Sequence, residues 1–431
     1  MFSRAYKRYA LTILTLVYMM SVLDQGLITL LLEPIKQDLK LTDTQLGLLT
    51  GLAFGLFYAT LGLPIGRWAD RGNRSTIASA AIGVWGGAVM LCLAVTNFGQ
   101  LALARMAAAV GGAGAMPPTY ALVGDYFPSL AERTRAMAIY MSANPLSLMV
   151  SFALGGWLNE HYGWRITFFV MGIPALLLAA LVKISIREPR THSSRARSSP
   201  LPRMTDVLSS LWRQRSMRHL FLGLITFYTM GFGLAPWYAA FMMRSHGMST
   251  AEVGVWFALI FGVGGIAGVL LGGYVTARWF AANERGQMRL IALTIGSLVP
   301  CLVAFLMLSE RIHALIALVP LMVLFNFYYG PTFAMMQRLV ADETRATTVA
   351  VAMLLYNLVG MGIGPWLVGL LSDSLSPVIG SDSLRFGMLI MSLVAFWAAY
   401  HFWEVGRTVT EDLCAVAECI RSDAGQVAAS Q

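Results

Sequence analysis

Residues 18–32 read YMMSVLDQGLITLLL, an apolar run with one carboxylate, Asp24, near its middle. Whether this run crosses a membrane decides the fold. It stays apolar from about residue 9 to residue 33, and roughly 20 apolar residues are enough to cross a ~30 Å hydrocarbon core. A basic start followed by an apolar stretch also describes a signal peptide, but this one runs past Asp24 with no small-residue cleavage pattern. It is therefore expected to be a first transmembrane span. Leaving an unpaired charge in hydrocarbon is costly, so a chain that keeps Asp24 there is expected to use it.

The composition extends this reading to the whole chain. Of 431 residues, 57% are hydrophobic and 12% charged, with a mean hydropathy of +0.66, whereas a soluble domain carries about 25% charged residues. Apolar stretches of spanning length fall at about 9–33, 45–66, 77–96, 99–123, 136–158, 166–186, 219–242, 252–275, 289–308, 313–335, 346–371 and 385–403. They predict an all-α integral membrane protein of twelve transmembrane helices. Of the 31 Lys and Arg residues, 24 fall in segments on the same side as the N-terminus and six opposite, with Arg105 alone inside a span. This asymmetry puts both termini in the cytoplasm of a cell inner membrane. It also accounts for the net charge of +9, so no nucleic-acid partner is implied.

The same sequence excludes several chemistries. Cys92, Cys301, Cys414 and Cys419 form neither a CxxC pair nor a metal-ligand cluster. GVGGIAG at 262–268 has the look of a nucleotide loop but lies in an apolar span with no preceding strand, and no GxxxxGK[ST] exists. No cofactor and no metal are expected. His161, His246 and His313 at outer edges and His219 at an inner one are not expected to assemble a site, and His401 reads as a packed core residue.

A basic, Ser- and Pro-rich linker at 187–218 divides the chain into halves at 1–186 and 219–406, followed by a tail at 407–431. The halves resemble each other. PTYALVGDYFPSLAERTRAMA (118–138) and PTFAMMQRLVADETRATTVA (331–350) share PT-aromatic-A and a following E-(R)-T-R-A, each at the exit of its half's fourth helix. Two six-helix pseudo-repeat bundles with a substrate site between them are a transporter architecture.

The loop GRWADRGNRS carries Gly66, Asp70, Arg71 and Arg74 as G-x-x-x-D-R-x-x-R. It resembles the signature loop of the major facilitator superfamily, and Asn73 in place of the usual glycine is similar to its spinster-like branch. Further points of likeness are LD at 23–24, LTDTQLGLL at 41–49, Tyr58, Pro64, Arg105, DYF at 125–127, GWR at 163–165 and VGLLSDSLSP at 368–377. The resemblance implies the major facilitator fold, first and fourth helices lining a central cavity, and a lipid-like substrate. One departure is Gly112, where the branch has a glutamate seven residues after the arginine.

At 1.5 Å per residue Asp24 lies roughly 22 Å along its helix from the cytoplasm, about 8 Å from the outer boundary, and Arg105 about 9 Å in from it. Opposite charges at one depth can solve each other's desolvation. Asp24 is expected to be the proton-responsive carboxylate, with Arg105 its counter-ion or the anchor of an acidic head group. A static pair that only orders the helices is the alternative. Asp70, Arg71 and Arg74 read as a cytoplasmic gate latch with Asp125, Glu132, Arg133 and Arg135 as partners. Asn144, Asn326, Asn357, Tyr228, Tyr329 and Tyr356 are candidate cavity-lining residues. Trp237, after Pro236 at the end of the seventh span, reads as an interface anchor, and GMGIGPW at 360–366 as a bending point.

Together these residues predict a secondary transporter of a small amphipathic or anionic organic molecule, coupled to protons, for which a monomer would suffice. An uncoupled facilitator or drug-type exporter is the near rival. A membrane-embedded lipid-modifying enzyme would need a nucleophile at one depth, which is missing, and a transporter-like sensor would need a partner domain.

Overall fold

The computed structural model describes residues 2–189, 209, 212–340 and 345–429. Among them the chain is helical throughout. In order the helices are α1 (Arg4–Leu39), α2 (Asp43–Thr50), α3 (Leu52–Arg71), α4 (Arg74–Leu91), α5 (Phe98–Tyr126), α6 (Leu130–Met141) and α7 (Ala143–Ser185). There follow α8 (Arg215–Leu234), α9 (Trp237–His246), α10 (Thr250–Trp279), α11 (Glu284–Gly296), α12 (Leu298–Met307), α13 (Arg311–Phe327) and α14 (Tyr329–Arg338). The last four are α15 (Arg345–Tyr356), α16 (Gly362–Ile379), α17 (Ser383–Ser392) and α18 (Val394–Ala429).

Local sequence sets many of the starts. Ser3, Asn73, Asn97, Ser129 and Asn283 each accept a first-turn backbone N–H, and Thr42 with Gln45 makes a reciprocal capping box. Among the described residues, eight helical runs are long and apolar enough to cross a membrane. Two of them, Glu132–Ser185 and Val351–Ala415, each contain two of the stretches predicted as separate spans. The predicted stretches at 45–66 and 99–123 are helical as α2–α3 and α5.

The chain forms two compact units. The first comprises Met1–Ser199, Ala235–Gly262 and Pro365–Arg385. In it α1 lies along α7 and α4 along α5, with glycines at the closest approaches: a Cβ on Gly26 would sit 2.5 Å from Ser151 Cβ, and one on Gly111 2.5 Å from the Trp85 backbone nitrogen. Ser147 and Ser151 donate to the Met19 and Leu23 carbonyls across the α1–α7 seam, as small polar residues do between spans. The GWR motif makes a corner. Gly163 has φ 79°, which a side chain would resist, while Trp164 and Arg165 both donate to Asp38.

The second unit comprises Pro200–Leu234, Val263–Gly364 and Phe386–Gln431. Here α8 packs on α18 and on the π-helical turn Asn357–Met361, with Phe227, Phe305 and Phe402 fully buried. The irregular turn falls immediately before and within the predicted bending stretch. Trp237 differs from its expected role at a membrane interface. It is fully buried in the first unit and donates to the Pro365 carbonyl.

The units group the chain differently from the predicted division at 187–218, most of which lies outside the described residues. Residues 235–262 and 365–385 join the first unit because glycines let backbones meet there. A Cβ on Gly369 would lie 2.2 Å from the Asp43 carbonyl, and one on Gly254 2.3 Å from that of Phe152.

Candidate functional site

Within the first unit α1 and α5 bring Asp24 and Arg105 together. Arg105 Nη1 donates to Asp24 Oδ1 at 2.5 Å, and Arg105 is 2% and Asp24 0% exposed. Asp24 Oδ2 is buried without a hydrogen-bond partner among the described residues, so the carboxylate is only half satisfied. Cys92 lies within electrostatic reach of both charges. Gly112 is buried farther along α5 and supplies no second carboxylate. Protonating Asp24 would remove the charge that holds Arg105 and free the guanidinium for an anionic group.

At the end of α1 that begins with Arg4, called here the terminal end, Arg74 donates to Asp125 at 2.5 Å and its backbone N–H to Glu188. Arg133 instead binds the Phe127 and Gly124 carbonyls. The side chains of Gly66, Asp70 and Arg71 lie outside those described. The second unit has a matching bridge of opposite polarity, Arg338 to Glu284 at 2.7 Å. In the internal repeat Arg338 occupies the place of Asp125, seven residues after the shared proline, while Arg74 and Glu284 each open a helix, α4 and α11. The duplication thus preserves the bridge and exchanges its charges.

The far end of α1 carries a densely bonded polar cluster, and the sequence reading singled out none of its charges. Arg244 on α9 makes a bidentate pair with Asp43, both bonds at 2.8 Å, and its Nε donates to Glu33 at 2.5 Å. Lys36 Nζ and the Ser372 hydroxyl donate to Asp43 at 2.7 and 2.6 Å. Asp373 in turn accepts from the Asp43 and Thr44 backbone N–H groups and the Thr44 hydroxyl, capping α2. Burial alone would raise the Asp43 carboxyl, but Arg244, Lys36 and Ser372 more than offset it and hold it down at about 2. A signal was present in the sequence: loops at this end hold six basic residues, and two of them, Lys36 and Arg244, are here.

The candidate cavity-lining residues separate. Tyr228 and Tyr356 stack with ring centroids 3.9 Å apart, and Tyr328 donates to the Tyr228 hydroxyl at 2.5 Å; all three are nearly buried. Tyr329 is exposed. Asn326 bonds the Met322 carbonyl of its own helix and sits beside Gly268, a packing role. Asn357 is half-buried in the π-helical turn, and Asn144 is an exposed residue of the first unit, beside the Tyr18 hydroxyl. His219 and His401, not expected to assemble, meet with their Nδ1 atoms 3.0 Å apart. No group of three or more metal-binding side chains occurs among the described residues.

Against known proteins, residues 14–365 match the family described as the Major Facilitator Superfamily. An MFS-type efflux pump of Mycolicibacterium smegmatis is 32% identical over 409 residues, covering 94% of each chain. A sphingosine-1-phosphate transporter of Danio rerio is 24% identical over 379 residues, 83% of this chain and 74% of that one. Among solved structures, a bacterial homologue of the human lysosomal transporter spinster, inward-facing and unoccupied, superposes with a TM-score of 0.83. It is 26% identical over 95% of this chain and 99% of that one.

Proposed function

This chain belongs to the Major Facilitator Superfamily of secondary transporters, and on that premise we propose that it moves a small amphipathic or anionic organic molecule by proton-coupled alternating access. It is a multi-pass membrane protein that binds a small-molecule substrate, in a family of transporters and not of enzymes. The observation that carries the proposal is the buried Asp24–Arg105 pair, with one carboxylate oxygen unpartnered among the described residues. An intramembrane charge that is satisfied only in part is suited to change its protonation.

In the proposed cycle an anionic head group competes with Asp24 for Arg105, and Asp24 takes up a proton as it is released. The likeness to a sphingosine-1-phosphate transporter supports an amphipathic anion as substrate. With the termini in the cytoplasm, as the basic loops indicate, Arg74–Asp125 and Glu284–Arg338 lie on the cytoplasmic side, and the Arg244–Asp43–Glu33 cluster is an outer gate lock. The likeness to an efflux pump favours export as the second reading of direction.

The test is transport into proteoliposomes of a panel of lysolipids and organic acids, with and without a pH gradient. Wild type is expected to accumulate substrate against its gradient. Asp24→Asn is expected to lose accumulation while retaining downhill flux, and Asp24→Asn with Arg105→Gln guards against instability, since a lone buried guanidinium costs about 3–5 kcal/mol. Full gradient-driven accumulation by Asp24→Asn would remove the coupling role and leave a static pair.

A further inference from the structure

Two imidazoles in the second unit make a contact that the transport reading does not use. His219 on α8 and His401 on α18 approach Nδ1 to Nδ1 at 3.0 Å. His401 is 6% exposed, and its Nε2 is buried with no partner among the described residues. His219 is half-buried near the start of α8.

A hydrogen bond between two ring nitrogens needs one proton, and only one, on the line between them. The neutral pair meets this with one Nδ1–H and one Nδ1 lone pair. A pair holding one excess proton keeps the same bond but makes it charge-assisted, roughly twice as strong. A second excess proton would put hydrogens on both facing nitrogens and like charges about 3 Å apart, which breaks the contact. The geometry therefore admits one excess proton, and imidazole is the side chain that exchanges it between pH 5 and 8.

We propose that His219 and His401 form a second proton-binding site, in which one proton taken from water is shared between the two Nδ1 atoms and tightens the junction of α8 with α18. This site is independent of Asp24, which lies in the other unit. The charges that act on it are Arg218 from α8 and Glu404 from α18, the latter also paired with Arg407. Of the helices packed on α18, α11 brings Arg289, whose guanidinium stacks on Trp403 at 5.0 Å, and α12 carries no charge; the described side chains of α15, which packs on α8, carry none either. Of these charges Glu404 favours the shared proton and Arg218 opposes it. Tightening the α8–α18 junction within the second unit provides a route for pH to regulate transport.

Trp397 provides a reporter, with its ring centroid 6.2 Å from that of His401, because an imidazolium quenches indole fluorescence more than imidazole does. The difference in emission between the full chain and Trp397→Phe isolates its signal from pH 8 to 5. The Trp397 signal is expected to fall along a one-proton curve, to stay flat in His401→Gln, to keep a curve with a displaced midpoint in His219→Gln, and to be unchanged in Asp24→Asn. A second measurement needs no variant. With histidine ¹⁵N-labelled protein, a strongly deshielded Nδ1 proton bonded to a second ring nitrogen is expected near pH 6.5. A Trp397 signal that titrates equally in His401→Gln, or the absence of that proton at every pH from 5 to 8, overturns the proposal.

Discussion

Replacing Arg244 with glutamine should release its cluster with Asp43 and Glu33 without touching the Asp24–Arg105 pair. The substitution deletes three charge-assisted hydrogen bonds, two to Asp43 at 2.8 Å and one to Glu33 at 2.5 Å, and leaves Lys36 as the remaining cation at Asp43. Truncating one partner of a buried ion pair costs about 3–5 kcal/mol. With the Arg244 side chain 17% exposed, water screens part of this, and the lower end, ~3 kcal/mol, is the working figure. At about 1.4 kcal/mol per tenfold, that is on the order of a hundredfold in the open population. Hydrogen–deuterium exchange reads the opening directly, because the Asp43 and Thr44 amides are held by Asp373. Peptides over 40–50 and 365–385 should exchange roughly a hundredfold faster in Arg244→Gln, while a peptide over 19–31 should not. Unchanged exchange in the first two would refute the lock. Acid should not open it in wild type. A carboxyl held at about 2, against an unfolded value of about 3.9, contributes stability that is present above the higher value and lost only as pH falls through the lower. Exchange of these peptides, corrected for intrinsic rates, should be flat from pH 8 to 5.

Two further perturbations test the packing and the repeat. Gly111→Ala forces a methyl against the Trp85 nitrogen and the Ala81 carbonyl, and since backbone cannot step aside it should destabilise the α4–α5 seam by about 1–3 kcal/mol, read as a lower melting temperature in detergent; a melting temperature equal to wild type would mean the seam has slack. At the terminal end, Arg74→Asp and Asp125→Arg singly should each lower transport, and the double swap should restore most of it, because the second unit already carries the bridge with its charges exchanged as Glu284 and Arg338. A double swap no better than either single variant would show that the bridge's polarity, and not merely its presence, is required.

The neighbours of Asp24 and those of Asp43 differ in how much a linear reading could reach. Asp24 and Arg105 were legible because a charge inside an apolar stretch stands out, and helix rise alone placed both at one depth. The all-helical membrane class was legible for a related reason: hydrocarbon leaves the backbone no partner but itself, so length and apolarity determine the element. The repeat was legible because PT-aromatic-A survives in both copies, although the reversal of the bridge within it needed paired atoms to be seen.

Asp43, Arg244 and Ser372 lie in short polar stretches between spans, where a charge is ordinary and the scarcity of basic residues is the one faint signal. LTDTQLGLL and VGLLSDSLSP stood out only as points of family likeness, with no indication that Asp43 and Asp373, 330 residues apart, bind each other. His219 and His401, 182 residues apart, gave still less warning. By itself the sequence determined the apolar spans, their charged loops and the Asp24–Arg105 pair, because desolvation acts on each residue locally. Only the tertiary structure decided which distant side chains meet, because hydrogen bonds depend on ångström-scale approach that glycines at 47, 156, 254 and 369 permit and no periodicity encodes.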